Sequence, residues 1–166
     1  MNDIKVTSII DLKTYFGISI RLYFKLRVVV MMVIALSLVE YSLSADSHFD
    51  WSSEFILIGL FAGVYGLLMP FLLYRGCKAM ITKIAYLAED LDYTINADKI
   101  AYTGQTIMAS SNWKYITKLV EREKYFLVMI TARSFHYLPK SGFESAEEVA
   151  RFKNIVREKG IKMAYH

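Results

Sequence analysis

Hydrophobicity along this chain changes period repeatedly, and each change marks an element. Ile4-Lys5-Val6-Thr7 alternates apolar and polar residues, the pattern of a short half-buried strand. From Ser8 to Lys25 the period lengthens. Leu12, Phe16, Ile20 and Phe24 recur every four residues, with Lys13, Gly17, Arg21 and Lys25 one step behind. This stripe predicts an amphipathic helix, with Tyr15, Phe16, Tyr23 and Phe24 as aromatics suited to a membrane surface. The chain then becomes apolar on every side. Val28 to Ala45 is one such run, and residues 55–74, FILIGLFAGVYGLLMPFLLY, form a second with no charged side chain. As a helix the second run is about 30 Å long, the thickness of a bilayer hydrocarbon core. The pattern predicts transmembrane helices over 26–45 and 55–74, joined by the short loop 46–54 into a hairpin.

Beyond the second run, residues 75–89 read as a juxtamembrane helix, with Met80, Ile81, Ile84 and Leu87 toward one side. A period of two takes over in 90–166. Tyr93-Thr94-Ile95 and Ile100-Ala101-Tyr102 flank the turn residues Asn96-Ala97-Asp98-Lys99, and Thr106 to Ala109 pairs next. Lys118 to Glu121 and Tyr125 to Thr131 flank Arg122-Glu123-Lys124, and Phe135 to Leu138 follows Ala132-Arg133-Ser134. Such short links predict a five-stranded antiparallel meander. Ser145 with Glu148 is a capping box, Val149, Phe152, Ile155 and Val156 share one helix face, and Gly160 supplies the stop. The expected fold class is an α+β membrane protein. Its transmembrane hairpin carries a small antiparallel β meander, a partly open barrel of pleckstrin-homology-like (PH-like) shape closed by the C-terminal helix. Residues 1–25 add the N-terminal strand and amphipathic helix on the same side of the membrane.

Charge orients this hairpin. Lys5, Lys13, Arg21, Lys25 and Arg27 precede the first span, and Arg75, Lys78 and Lys83 follow the second. The loop between them holds Asp46, Asp50 and Glu54 and neither Lys nor Arg. The net +4 divides as +3 before the first span, −4 from Glu40 through the loop, and +5 after the second. Positive flanks resist translocation, so both termini are expected in the cytoplasm of a multi-pass cell-membrane protein. The basic excess also favours an anionic inner leaflet. Nucleic acid is not expected, because no Lys/Arg run is interleaved with aromatics. Ser42-Leu43-Ser44-Ala45 has the residue sizes of a signal-peptidase site. However, the region before the apolar core is about 25 residues long and patterned, which favours a retained span. The single Cys77 excludes an intrachain disulfide.

The candidate residues are few. Gly59-x-x-x-Gly63 followed by Gly66 places small residues on one helix face, suited to packing against the first span or against a second copy. Pro70 falls in the last helical turn before the basic end, where a kink is tolerated. Glu40, the one acid within the apolar runs, lies at headgroup level, where its carboxylate reaches water. Trp113, after Ser110-Ser111-Asn112, is expected to plug one end of the barrel with its N–H on a carbonyl. Lys140 is a weak candidate for a phosphate or lipid headgroup, with simple solvation as the plainer reading. His48, His136 and His166 have no metal-ligand spacing, and no glycine-rich phosphate loop or nucleophile–base pair is evident. No catalytic residue, metal, cofactor or small-molecule substrate is therefore expected.

The stretch from Tyr93 to Lys159 resembles the YcxB-like C-terminal domain of small bacterial membrane proteins. The matching pieces are Tyr93-Thr94-Ile95 with Asp98, Trp113-x-x-Ile116, and Tyr125-Phe126 opening an apolar strand. Leu138-Pro139-Lys140 with Phe143, and the helix with Glu147-Glu148-x-x-x-Phe152, complete the match. The resemblance implies a bacterial inner-membrane protein of a family whose biochemical role is uncharacterised, and it carries over no catalytic or ligand residue. Two functions fit this reading: a membrane-tethered binding or scaffolding module, or an accessory or regulatory subunit of a larger transporter or membrane enzyme. Partners would be the bilayer and a protein, or a homodimer through the hairpin.

Overall fold

In a computed structural model, residues 3–23, 26–43, 51–87, 89–132 and 134–165 are described. The chain divides into one unit of Leu12–Met80 and another of Met1–Asp11 with Ile81–His166. The amphipathic helix therefore separates from the N-terminal strand, with which the sequence reading had grouped it.

The first unit is helical: α1 (Leu12–Tyr23), α2 (Leu26–Leu43), α3 (Trp51–Gly63) and α4 (Met69–Lys83). Helix α1 packs on α4 through Phe16 and Tyr74, whose rings meet edge to face at 5.5 Å, and the Tyr15 hydroxyl donates to Met80 Sδ at 3.3 Å. Its most buried residues are Ile18 and Ser19, while Leu12, Phe16 and Ile20 are half-buried. The expected stripe is thus rotated from the face that is most covered. Ser37 and Ser42 in α2 donate their hydroxyls back to the carbonyls of Val33 and Val39, which satisfies them within an apolar helix.

The helix that carries the second apolar run continues past residue 74 to Lys83. Helices α3 and α4 form one continuous rod through a π-helical turn at Val64–Leu68, in which Met69 N–H donates to Val64 O. Pro70 explains the turn. It has no N–H for Gly66 O and its ring crowds that carbonyl, so the preceding turn widens. Pro70 therefore lies inside a helix that continues to Lys83, not in its last turn. By length and composition, Gly59–Lys83 is one helix that could cross a membrane, and Val30–Val39 within α2 is a shorter apolar helix. His48, the acidic loop from Asp46 to Asp50, and His166 lie outside the described residues, as does the side chain of Glu40.

The second unit holds two four-stranded sheets. Strands β1 (Ile4–Ser8), β2 (Leu91–Ile95), β3 (Lys99–Thr103) and β4 (Met108–Asn112) pair in that order, all antiparallel. The other sheet has the order β7 (Phe135–Pro139), β6 (Tyr125–Met129), β5 (Lys118–Glu121), β8 (Lys162–Tyr165). Here β8 runs parallel to β5, with Lys118 opposite Lys162. The single five-stranded meander of the sequence reading is thus corrected to two sheets. The chain leaves the first sheet at a 3₁₀ turn, Trp113–Tyr115, where Asn112 Oδ1 accepts Lys114 N–H and so ends the ladder. Helix α5 (Ala146–Glu158) then makes the crossover that a parallel partner for β5 requires.

One core joins these layers. Ile4, Val6, Tyr93, Ile95 and Ile100 from the first sheet pack with Leu119, Phe126, Val128 and Leu138 from the second. Phe152, Ile155 and Val156 of α5 belong to the same core. Strand β6 is buried from Phe126 through Met129, so both faces of the second sheet are covered there. Ser145 Oγ accepts Glu148 N–H, while Glu148 Oε2 takes Glu144 N–H, one residue upstream of the usual capping-box return. The helix ends in a Schellman motif: Gly160 N–H to Arg157 O, Ile161 N–H to Val156 O, and Gly160 at φ 68°.

The sheets meet along β1 and β7. Ser8 Oγ donates to Tyr137 O at 2.6 Å, and Val6 bridges Phe143 just beyond β7. Gly142 makes this seam possible, because a Cβ there would overlap Thr7 O. Gly142→Ala is expected to force the backbones apart and cost about 1–3 kcal/mol, read as a lowered urea midpoint. An unchanged midpoint would show that the seam contributes nothing.

Candidate functional site

Strand parity places one polar cluster inside the β unit. On β7, His136 shares a face with Leu138, which is fully buried, so its ring enters the space between the sheets. Only 7% of the residue is exposed. Its Nδ1 lies 3.4 Å from the Tyr93 hydroxyl on β2, and its Nε2 lies 3.2 Å from Ser111 Oγ on β4. Its ring packs at 5.1 Å from that of Tyr102 on β3. One side chain of the second sheet thus touches three strands of the first. Burial lowers the imidazole pKa from 6.5 to about 4, so the ring is neutral near pH 7. In that form one nitrogen donates and the other accepts, and the two hydroxyls complement either tautomer. The cluster works as a neutral polar tie between the sheets.

A second cluster lies at the surface. Glu121, at the end of β5, receives Lys140 at 2.8 Å and Lys153 of α5 at 2.9 Å. Burial alone would raise its pKa, but the hydrogen bonds and charges of the two lysines outweigh that and hold it below the usual value. Lys140 Nζ also sits 5.0 Å over the Phe126 ring. The Lys140 charge is therefore engaged inside the domain, tying β5, α5 and the segment after β7. The distance between Glu121 and Lys153 in sequence kept this arrangement out of reach of the sequence reading.

Trp113 is 4% exposed, packs against Phe152, and donates its indole N–H to Asn96 O at 2.9 Å. The glycines lie elsewhere. A Cβ added at Gly59, Gly63 or Gly66 would meet nothing within 4 Å. Among the described residues nothing lies against this face, which leaves it open to the first apolar helix or to a second copy. Gly59 and Gly63 line an open groove together with Leu60, Val64, Leu67, Leu68 and Phe71. Cys77 is buried in α4. Among the described residues no three His, Cys, Asp or Glu side chains gather as a metal site.

These features define a class: a two-sheet α+β domain tied by an internal polar cluster and linked to exposed apolar helices. The family model described as YcxB-like protein matches residues 95–156, from the end of β2 through the last buried residue of α5. A curated relative from Bacillus subtilis (strain 168), "Uncharacterized protein YcxB", is 29% identical over 101 residues, covering 61% of this chain and 55% of its own length. No solved structure matches. The chain thus carries a YcxB-like domain, as the resemblance of Tyr93 to Lys159 implied. Strands β1 and β8, which complete the two sheets, lie outside the matched residues.

Proposed function

We propose that this protein is a membrane-tethered binding or scaffolding module. The hairpin of α2 and the α3–α4 rod holds the β unit at the inner leaflet, and both termini are cytoplasmic. The observation that carries the reading is the contrast between the two units. The Gly59–Lys83 helix is apolar yet only 6% of its apolar window is buried, which water would not tolerate and lipid would. The β unit, by contrast, gathers Ile4, Ile95, Leu119, Phe126 and Phe152 among others into one buried core and internally partners His136 and Glu121. Lys and Arg flank both apolar helices while Asp46, Asp50 and Glu54 lie between them, which supports the orientation.

The accessory-subunit reading is favoured by one feature, the glycine face, against which nothing lies among the described residues. A helix of a larger membrane protein could approach it closely. A reporter active only outside the cytoplasm, fused after residue 166, is expected to stay silent, and a signal would overturn the tethering geometry. In the same membranes, Gly59→Leu/Gly63→Leu should leave crosslinked partners of the β unit in place if the domain is the reader. Loss of copurifying protein would favour the accessory-subunit reading.

A further inference from the structure

The exposed sheet ends are not alike. Strand β1 is occupied, since Val6 bridges Phe143 and Ser8 holds Tyr137 on β7. Strand β8 carries Lys162, a charge of the kind that discourages edge pairing. Strand β4, Met108-Ala109-Ser110-Ser111-Asn112, has neither a charge nor a proline and is the last strand of its sheet.

Its hydrogen-bond parity is set by the hairpin. Gly104 N–H donates to Ile107 O at 2.8 Å, so bonded pairs alternate at Tyr102–Ala109 and Ile100–Ser111. The N–H and C=O groups of Met108, Ser110 and Asn112 therefore point away from β3, and all three residues are exposed. Met108 is 82% exposed at one end. The other end is basic. Lys99 is the β3 partner of Asn112, Lys114 follows two residues on, and Asp98 in the adjacent turn offsets only one of them. Near the Met108 end, the Glu89 carboxylate is fixed on Thr106 and would repel an anion.

We propose that the β4 edge takes up an extended peptide segment of a partner, apolar where it passes Met108 and acidic where it passes Asn112 and Lys114. Main-chain bonds supply affinity, and the basic end sets register and direction. This names the partner class for the binding-module reading and rests on it.

The test uses the full chain in nanodiscs and a fluorescent capped peptide, Val-Thr-Val-Thr-Glu-Glu. Binding should protect the amides of Met108, Ser110 and Asn112 from hydrogen exchange. Ser110→Pro removes the outward donor at the strand centre while sparing every bond to β3, a position where edge prolines are tolerated. It should weaken binding about tenfold, and Lys114→Glu by a similar factor. A peptide ending in Lys-Lys should not bind. Unchanged affinity in Ser110→Pro with an unchanged melting temperature would overturn the β4 site, as would protection elsewhere on the domain or no binding at all. The external reporter separately reads the tethering geometry, so a silent reporter with no β4 effect would leave the tethered module standing and remove only this site.

Discussion

Phe152→Ala should destabilise the β unit by about 3–5 kcal/mol, a large part of what holds a domain of this size together. Phe152 is fully buried, and its ring lies 5.3 Å from that of Phe126, 5.7 Å from Phe143 and 6.5 Å from Trp113. These neighbours come from β6, the segment after β7, and the turn that ends the first sheet. Truncation therefore leaves a cavity shared by three parts of the fold that cannot collapse together. Trp113 fluorescence during urea unfolding in a Trp51→Phe background reads the loss. A fall of less than about 1 kcal/mol would mean that α5 is peripheral to the core.

Acid should act on the cluster between the sheets. The folded pKa of His136 lies near 4, below its ordinary 6.5, so the unfolded chain binds more protons between those values. The associated stability is fully present above about pH 6.5 and is lost as pH falls toward 4. The loss is about 3 kcal/mol, the free-energy equivalent of that separation. The ring meets Tyr93, Tyr102 and Ser111, and burial governs the shift. His136→Gln should be less stable at neutral pH and should flatten this part of the profile. A wild-type curve that parallels the variant down to pH 4 would place the acid sensitivity elsewhere, with Glu121 the next group to examine.

Much of the local structure was legible in the sequence. Alternation in Ile4–Thr7 and Tyr93–Ile95 matched strands, because one face of each had a core to cover. The capping box at Ser145 and the stop at Gly160 were visible because both are satisfied within a few residues. Strand β8 escaped because its two half-buried central positions between exposed ends give no alternation, and its partner β5 is distant in sequence. His136 had a signal in its parity with Leu138, but Ser111 and Tyr93 reach it only across the two sheets. Lys140 could be read as a free cation only while Glu121 and Lys153 remained distant in sequence.

The sequence by itself determined what depends on neighbouring residues: the element periods, the apolar helices, the caps and the YcxB-like motif order. Tertiary structure decided what depends on residues meeting from afar. It split the meander into two sheets, recruited β1 from before the apolar helices, and paired β8 in parallel. The physical reason is range. Backbone propensity and capping act over a turn or two, whereas strand pairing and burial of His136 depend on the closed chain.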